Sequence, residues 1–317
     1  MIRIHTGGLL VEVERSGVVE SLHTGHLIVL APDGSRRLAV GDPTQPIFAR
    51  SSMKPLQAVG ILRSGLLMDS SDLALATSSH SGSQLHRDLI AAELRAAGLT
   101  SEDLECPPDL PIGDAERRAF LIAGLTESRL AMNCSGQHAA MLRACLANGW
   151  PVSGYLAPSH PLQRGLAATV ADLTGEAIAA TGVDGCGAPV FAVSLTGVAR
   201  AFGRIGGAVH GPEFAVAEAM RRHPELVAGE GRGATRLMRG IGGLIAKDGA
   251  EGVYAAALPD GGAVACKIDD GATRAADVAV VLGLRHLGVE AAVLDDLGSQ
   301  PLLGGGEPIG AIRPARS

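Results

Sequence analysis

Apolar and polar positions alternate with a period of two near both ends of the chain and recur every three to four residues through its middle. Residues 9–13, 26–30 and 37–40 carry strand-like patterning around the turn Pro32-Asp33-Gly34, which predicts antiparallel strands about a short hairpin. Towards the other end, residues 253–258 and 263–268 flank the turn Pro259-Asp260-Gly261-Gly262 as a second hairpin, and residues 272–287 follow with helical spacing. Between these regions the spacing predicts helices over 56–64, 84–96, 114–124, 135–147, 161–173 and 213–222. Pro212 stands just ahead of the last of these, where a missing N–H costs little. Strands at both ends predict an α+β chain. It is read as one compact unit over 1–317, a mostly antiparallel sheet from residues 1–79 and 241–317 carrying flanking helices and a helix-rich portion over 80–240.

Composition narrows the class. With 317 residues, 46% of them hydrophobic, the chain can bury one large core or two smaller ones. Aromatics are only 3% and glycines number 43, so the core must be closely packed Leu, Val, Ile and Ala. A net charge of -6 without a basic block removes the electrostatic footprint of a nucleic-acid binder. No apolar stretch approaches the ~20 residues needed to cross a bilayer, and the first residues do not resemble a secretory leader. A cytoplasmic protein without membrane partners is therefore expected. Cys106, Cys134, Cys145, Cys186 and Cys266 are an odd set in a long chain, which favours free thiols or metal ligands over a disulfide framework. Neither a dinucleotide fingerprint in its required context nor a phosphate loop is present.

Four clusters carry candidate chemistry. In Arg50-Ser51-Ser52-Met53-Lys54-Pro55, Ser51 and Lys54 have the i,i+3 spacing that puts both side chains on one side of a helical turn. A neutral Lys54 amine there could take the serine proton, provided burial lowers its pKa. Pro55 is accommodated if the helix begins around Ser51. An N-cap serine followed by a surface lysine has the same spelling. Residues 73–76 read as an apolar strand or buried segment that empties into the polar turn Thr77-Ser78-Ser79-His80-Ser81-Gly82-Ser83 ahead of a helix. Cys134 and His138, in Asn133-Cys134-Ser135-Gly136-Gln137-His138, would share the first turn of a helix capped by Ser135. With Asp184 and Cys186 they supply zinc-compatible atoms, although not in the spacing of a zinc finger. Asp184 could instead hold the amino group of a small zwitterion. Alternation puts Lys267 on the opposite face of its strand from Cys266 and Ile268, where it faces a site or plain solvent. Glu230 and Arg232, in the loop after His223-Pro224-Glu225, would orient a substrate or structure the rim.

Taken in order, these motifs, together with His160-Pro161-Leu162-Gln163, resemble the Rhizobium etli type of L-asparaginase, the asparaginase II family, across nearly the whole chain. The resemblance implies a fold related to serine β-lactamases and serine glutaminases, and hydrolysis of L-asparagine to L-aspartate and ammonia by a homodimer. It implies two Ser-Lys pairs, Ser51 with Lys54 and Ser79 with Lys267, with Ser51 favoured as nucleophile, and Arg50, His138 and Asp184 as substrate-binding candidates. No cofactor is required for such chemistry. The family's zinc site maps onto Cys134, Cys186 and Asp184, but Gln137 stands where the family has a lysine ligand. An amide is a poor zinc ligand, so zinc is expected only conditionally, weakened or completed by another group. A clear Ser-Asp-Asn or Lys-Thr-Gly partner to the Ser-x-x-Lys motif is not evident, which disfavours β-lactam chemistry. Two alternatives remain at this level: a serine glutaminase or another β-lactamase-like amidohydrolase, and a catalytically silent amino-acid-binding or zinc-binding protein.

Overall fold

The computed structural model describes residues 5–316. Strands β1 (Gly8–Arg15), β2 (Val18–Leu30) and β3 (Arg36–Val40) open the chain. The strands β4 (Pro46–Phe48), β5 (Ala180–Val183) and β6 (Pro189–Ser194) form a small three-stranded sheet of their own. Then β7 (Ile245–Gly249), β8 (Val253–Ala257), β9 (Ala263–Ile268), β10 (Gln300–Gly304) and β11 (Glu307–Pro314) return to the first sheet. That sheet runs β10-β11-β1-β2-β9-β8-β7, with β3 on β2, and every pairing is antiparallel. Its strands come from both ends of the chain, as the alternation requires.

The helices are α1 (Lys54–Arg63), α2 (Ser70–Ala76), α3 (Gln84–Ala96), α4 (Asp114–Ile122), α5 (Ser135–Ala147) and α6 (Pro161–Thr174). They continue as α7 (Leu195–Gly206), α8 (Gly211–Arg222), α9 (Pro224–Val227), α10 (Gly233–Gly240), α11 (Thr273–His286) and α12 (Ala292–Gly298). Each helix expected from the spacing is present to within a few residues. The whole has the α+β, serine β-lactamase-like architecture: a mostly antiparallel sheet, flanking helices and a helix-rich remainder. Among the described residues no helix is long and apolar enough to cross a membrane.

Strands β8 and β9 are buried along their whole length because a helix covers each face. On one side the Cys266 thiol reaches Ala276 O of α11. On the other, a Cβ built on Gly203 of α7 would lie 3.6 Å from the Ala263 methyl, so small residues on both partners let helix and sheet meet closely. Helix α7 thus belongs to the sheet's cover although its residues fall inside the span read as helix-rich. Strands β5 and β6 in that span, and β7, β10 and β11, were not legible as strands. Gly305 and Gly306, both at positive φ, make the tight turn between β10 and β11.

Of the two readings for residues 73–76 the buried segment holds and the strand does not: they form the end of α2. Asp69 caps that helix, its Oδ1 accepting from Asp72 N–H at 2.9 Å. An apolar run of this length fits either element, and the cap upstream decides.

Candidate active site

The chain enters the site through a turn of 3-10 helix, Arg50–Met53, that leads directly into α1. The Lys54 N–H closes that turn on Ser51 O. Side chains three apart eclipse one another in such a turn, so Ser51 and Lys54 project to the same side. Pro55 falls in the first helical turn, where its missing N–H had no intrahelical acceptor to lose. The turn sits on the edge strand β7, with Ser52 Oγ donating to Lys247 O at 3.0 Å. Gly249 makes this seating possible: a Cβ there would stand 3.0 Å from both Ala49 O and Ser52 N.

Ser51 is half-buried, whereas Lys54 is only 3% exposed. Lys54 Nζ donates to Ser78 O at 2.5 Å and to Ser79 Oγ at 3.1 Å. Among the described residues its amine makes no hydrogen bond to Ser51 Oγ. The loop holding Ser79 is fixed from three directions: Ser79 N–H donates to Val227 O, His80 N–H to Asn133 O, and Arg232 Nη1 donates to Ser79 O at 2.9 Å. His80 is buried, stacks on His86, and bonds Ser135 Oγ through Nε2, so it serves the architecture of this loop. Burial, helped by the neighbouring His86 and Lys54 charges, holds its pKa well below the usual histidine range.

Lys267 does not come to Ser79. Its Nζ donates to Glu251 O and Ile268 O, both at 2.6 Å, so this amine closes the β7–β8 and β9 turns. The lysine that accompanies Lys54 is Lys247, fully buried in β7 beside the 3-10 turn. Burial pushes its pKa down to about 8, with repulsion from Lys54 and Arg232 adding to the effect and Asp248 opposing it. Its Nζ donates to Asp248 O at 2.7 Å and to Asp248 Oδ1 at 3.1 Å. Asp248 also takes Arg232 Nη2 at 2.5 Å. Burial alone would raise the Asp248 carboxyl, but these two cations outweigh it and hold it below the ordinary range. Lys247-Asp248-Gly249 is a Lys-x-Gly run on an edge strand, which is the signal that could have found Lys247 in the sequence. Arg232 fixes the Ser79 loop, and Glu230 pairs with Arg239 at the surface.

A second wall is built by Arg50 and Asp184. Arg50 has a left-handed φ of +51°, a conformation that costs a non-glycine residue about 1–3 kcal/mol and is held here by an ion pair. Its Nε and Nη2 both reach Asp184 Oδ1, at 2.8 and 2.6 Å. These two, with Lys54, Gln57, Gln137 and Cys186, line a cavity of about 10 Å3, room for roughly one water.

Cys134 and Cys186 are buried free thiols that interact with one another. The neighbouring Cys186 thiol, together with the Lys54 charge, holds the Cys134 thiol below its ordinary range against the effect of burial. Cys186 moves the other way and keeps its proton beside the Cys134 sulfur. Cys134 itself occupies the N-cap of α5, while Ser135 Oγ donates to Leu130 O instead of capping the helix. His138 lies off this wall: its Nδ1 bonds the Tyr155 hydroxyl at 2.6 Å, and burial lowers its pKa to about 3.

The donor set does not suit zinc. Gln137, bonded through Nε2 to Gln57 Oε1 at 2.6 Å, offers a metal only an amide oxygen, Asp184 is paired with Arg50, and His138 bonds Tyr155 through Nδ1 away from the thiols. Among the described residues no three His, Cys, Asp or Glu side chains stand together as a metal site. Two thiols alone fall short of the three or four protein ligands that zinc sites provide.

An antiparallel sheet whose edge strand presses a Ser-x-x-Lys turn towards a second, buried serine is the frame of this site. The sequence pattern of the L-asparaginase II family matches residues 11–314, and the chain belongs to that family. The solved structure of a putative β-lactamase from Bacteroides dorei DSM 17855 is similar over 83% of this chain and 85% of its own, at 14% identity and a TM-score of 0.36. Comparison with curated proteins gives no match.

Proposed function

We propose that the protein hydrolyses L-asparagine to L-aspartate and ammonia through an acyl-enzyme on Ser51. The observation that carries this reading is the position of Lys54: buried, three residues after Ser51 on a 3-10 turn, and hydrogen-bonded to Ser79 Oγ. Family membership supplies the substrate class.

In its neutral form Lys54 accepts the Ser51 proton as Oγ attacks the side-chain amide carbon of asparagine. The proton then passes by way of the Ser79 hydroxyl to the departing nitrogen, which leaves as ammonia. Water attacks the resulting ester, Lys54 takes its proton, and aspartate is released with Ser51 restored. Lys247, buried in β7 beside the 3-10 turn, adds positive charge on this side of the site. Arg50 and Asp184 are set to receive the substrate's α-carboxylate and α-ammonium groups, exchanging their mutual ion pair for two with the ligand. No step passes through a metal. Ammonia release from asparagine by the parent chain and by Ser51→Ala tests the reading: turnover must be present in the first and lost in the second.

A further inference from the structure

Around the edge of β7 from Ser79, on the face of the sheet covered by α11, lies a second cavity of about 380 Å3. Strand register decides which side chains reach it. Asp248 is opposite Tyr254, and Tyr254 opposite Cys266, whose thiol meets α11; alternation sends Lys247 to the other face. The cavity is therefore separate from the one between Arg50 and Cys186.

Its walls include Asp248, Tyr254 and Asp277, with Asp114 on the rim from the start of α4 adding further negative charge. Tyr254 is 2% exposed, and its hydroxyl has no hydrogen-bond partner among the described residues. Leaving such a group unsatisfied costs about 1–3 kcal/mol, so a native structure rarely does so without cause. Asp277 faces the same space: a Cβ built on Gly233 would lie 2.7 Å from Asp277 Oδ1 and 3.6 Å from the Tyr254 hydroxyl. Both oxygens thus converge on the bare side of Gly233. The nearby cations are engaged elsewhere, Arg232 and Lys247 with Asp248 and Arg236 with Asp296. Burial and the Asp248 charge push the Asp277 carboxyl up to about 6, which still leaves it ionised at neutral pH.

We propose that this cavity binds a small primary ammonium compound, whose N–H groups donate to the Asp277 carboxylate and the Tyr254 hydroxyl. An ammonium offers three donors on a compact charge, matching the Asp277 carboxylate, which has acceptor capacity beyond its Gln300 partner, and one phenol oxygen. A divalent metal ion would need six or more oxygens, and Asp248 is already saturated by Arg232 and Lys247. Ala234, Val253 and Ala276 leave an apolar surface for a short alkyl chain, and the volume falls at the lower end of small-ligand pockets, ~300–1,000 Å3. Arg232 joins the site to the catalytic region, since one guanidinium bonds both Asp248 and Ser79 O.

Isothermal titration of the full chain with n-propylammonium chloride at neutral pH tests the proposal, with potassium chloride at equal ionic strength as the reference. Saturable binding is expected with the ammonium and not with potassium. Asp277→Asn should weaken it by about 10- to 100-fold, the loss of one charged hydrogen-bonding partner. Gly233→Ala should weaken it as well by placing a methyl group between the two oxygens, at a backbone position that accepts alanine and so keeps the fold. The absence of saturable binding, an equal isotherm with potassium, or unchanged affinity in folded Gly233→Ala would each overturn the proposal.

Discussion

The amine of Lys54 donates to Ser79 Oγ across 3.1 Å, and the same amine belongs to the residue that closes the 3-10 turn on Ser51. Lys54 thus shares a turn with Ser51 and a hydrogen bond with Ser79. The two Ser-Lys pairs expected from the family resemblance contract into a single Ser51–Lys54–Ser79 unit, with Lys247 behind it and Lys267 outside it.

This arrangement separates the two serines by role. Ser51→Ala should cut ammonia release by roughly 10^4-fold or more, as loss of a nucleophile does. Ser79→Ala should cut it by about 10^2- to 10^4-fold, the range of a proton-transfer group, with substrate still bound. Steady-state kinetics on both variants, with circular dichroism to establish folding, gives the comparison. The larger loss in Ser79→Ala would reverse the assignment.

The two lysines should part in the same way. Lys247→Met is expected to depress kcat, whereas Lys267→Met should leave kcat near the parent value. The latter variant instead loses two donors to the Glu251 and Ile268 carbonyls, at about 1–3 kcal/mol of stability. Turnover and denaturant unfolding measured side by side distinguish the outcomes.

Lys247 also fixes a pH dependence. Its pKa falls from the ordinary 10.5 to about 8 in the folded protein. Between those values the unfolded chain binds the extra proton, so stability relative to Lys247→Met should rise with pH through this window and fall away towards pH 8. The expected difference is on the order of 3 kcal/mol, read from urea unfolding across the window. A flat difference would mean that the lysine keeps an ordinary pKa.

Asp184 is paired with Arg50 before any substrate arrives. Asp184→Asn should raise KM by about 10- to 100-fold, with a smaller effect on kcat, because the charged hydrogen bond to the α-ammonium group is lost. Asparagine kinetics on this variant give both constants.

Chelation should leave turnover unchanged, since Cys134 and Cys186 are backed only by the weakly ligating amide of Gln137 and by Asp184, which Arg50 holds. Gln137→Lys adds an amine next to the thiol pair and should produce zinc affinity that the parent lacks. Zinc titration of both chains, by calorimetry and with metal content after dialysis, decides this point. Tight zinc binding by the parent would show that the thiol pair recruits further ligands.

Much of this geometry was legible in the sequence. The i,i+3 spacing of Ser51 and Lys54, the hydroxyl-rich turn at Ser79 and the terminal hairpins all follow from local rules, because periodicity and turn residues are properties of neighbouring positions. Lys247 carries only the brief Lys-x-Gly signal, since Ile-Ala-Lys-Asp-Gly is too short to show its period and a lysine in it suggests an exposed edge. Its burial comes from the turn at Ser52 packing over it, a contact made across 195 positions. Lys267 misled for the converse reason: alternation correctly gives its face of the strand but not the direction its long side chain takes, which is set by the Glu251 carbonyl. His138 likewise has the spacing to join Cys134, yet the Tyr155 hydroxyl claims it.

In the proposed mechanism Ser51 carries the acyl group. Acid quenching during turnover of L-asparagine, followed by peptide mass spectrometry, measures this directly. The expected result is one aspartyl group esterified to the peptide that contains Ser51, absent from Ser51→Ala. An aspartyl group on Ser79, or undiminished turnover in Ser51→Ala, would contradict it.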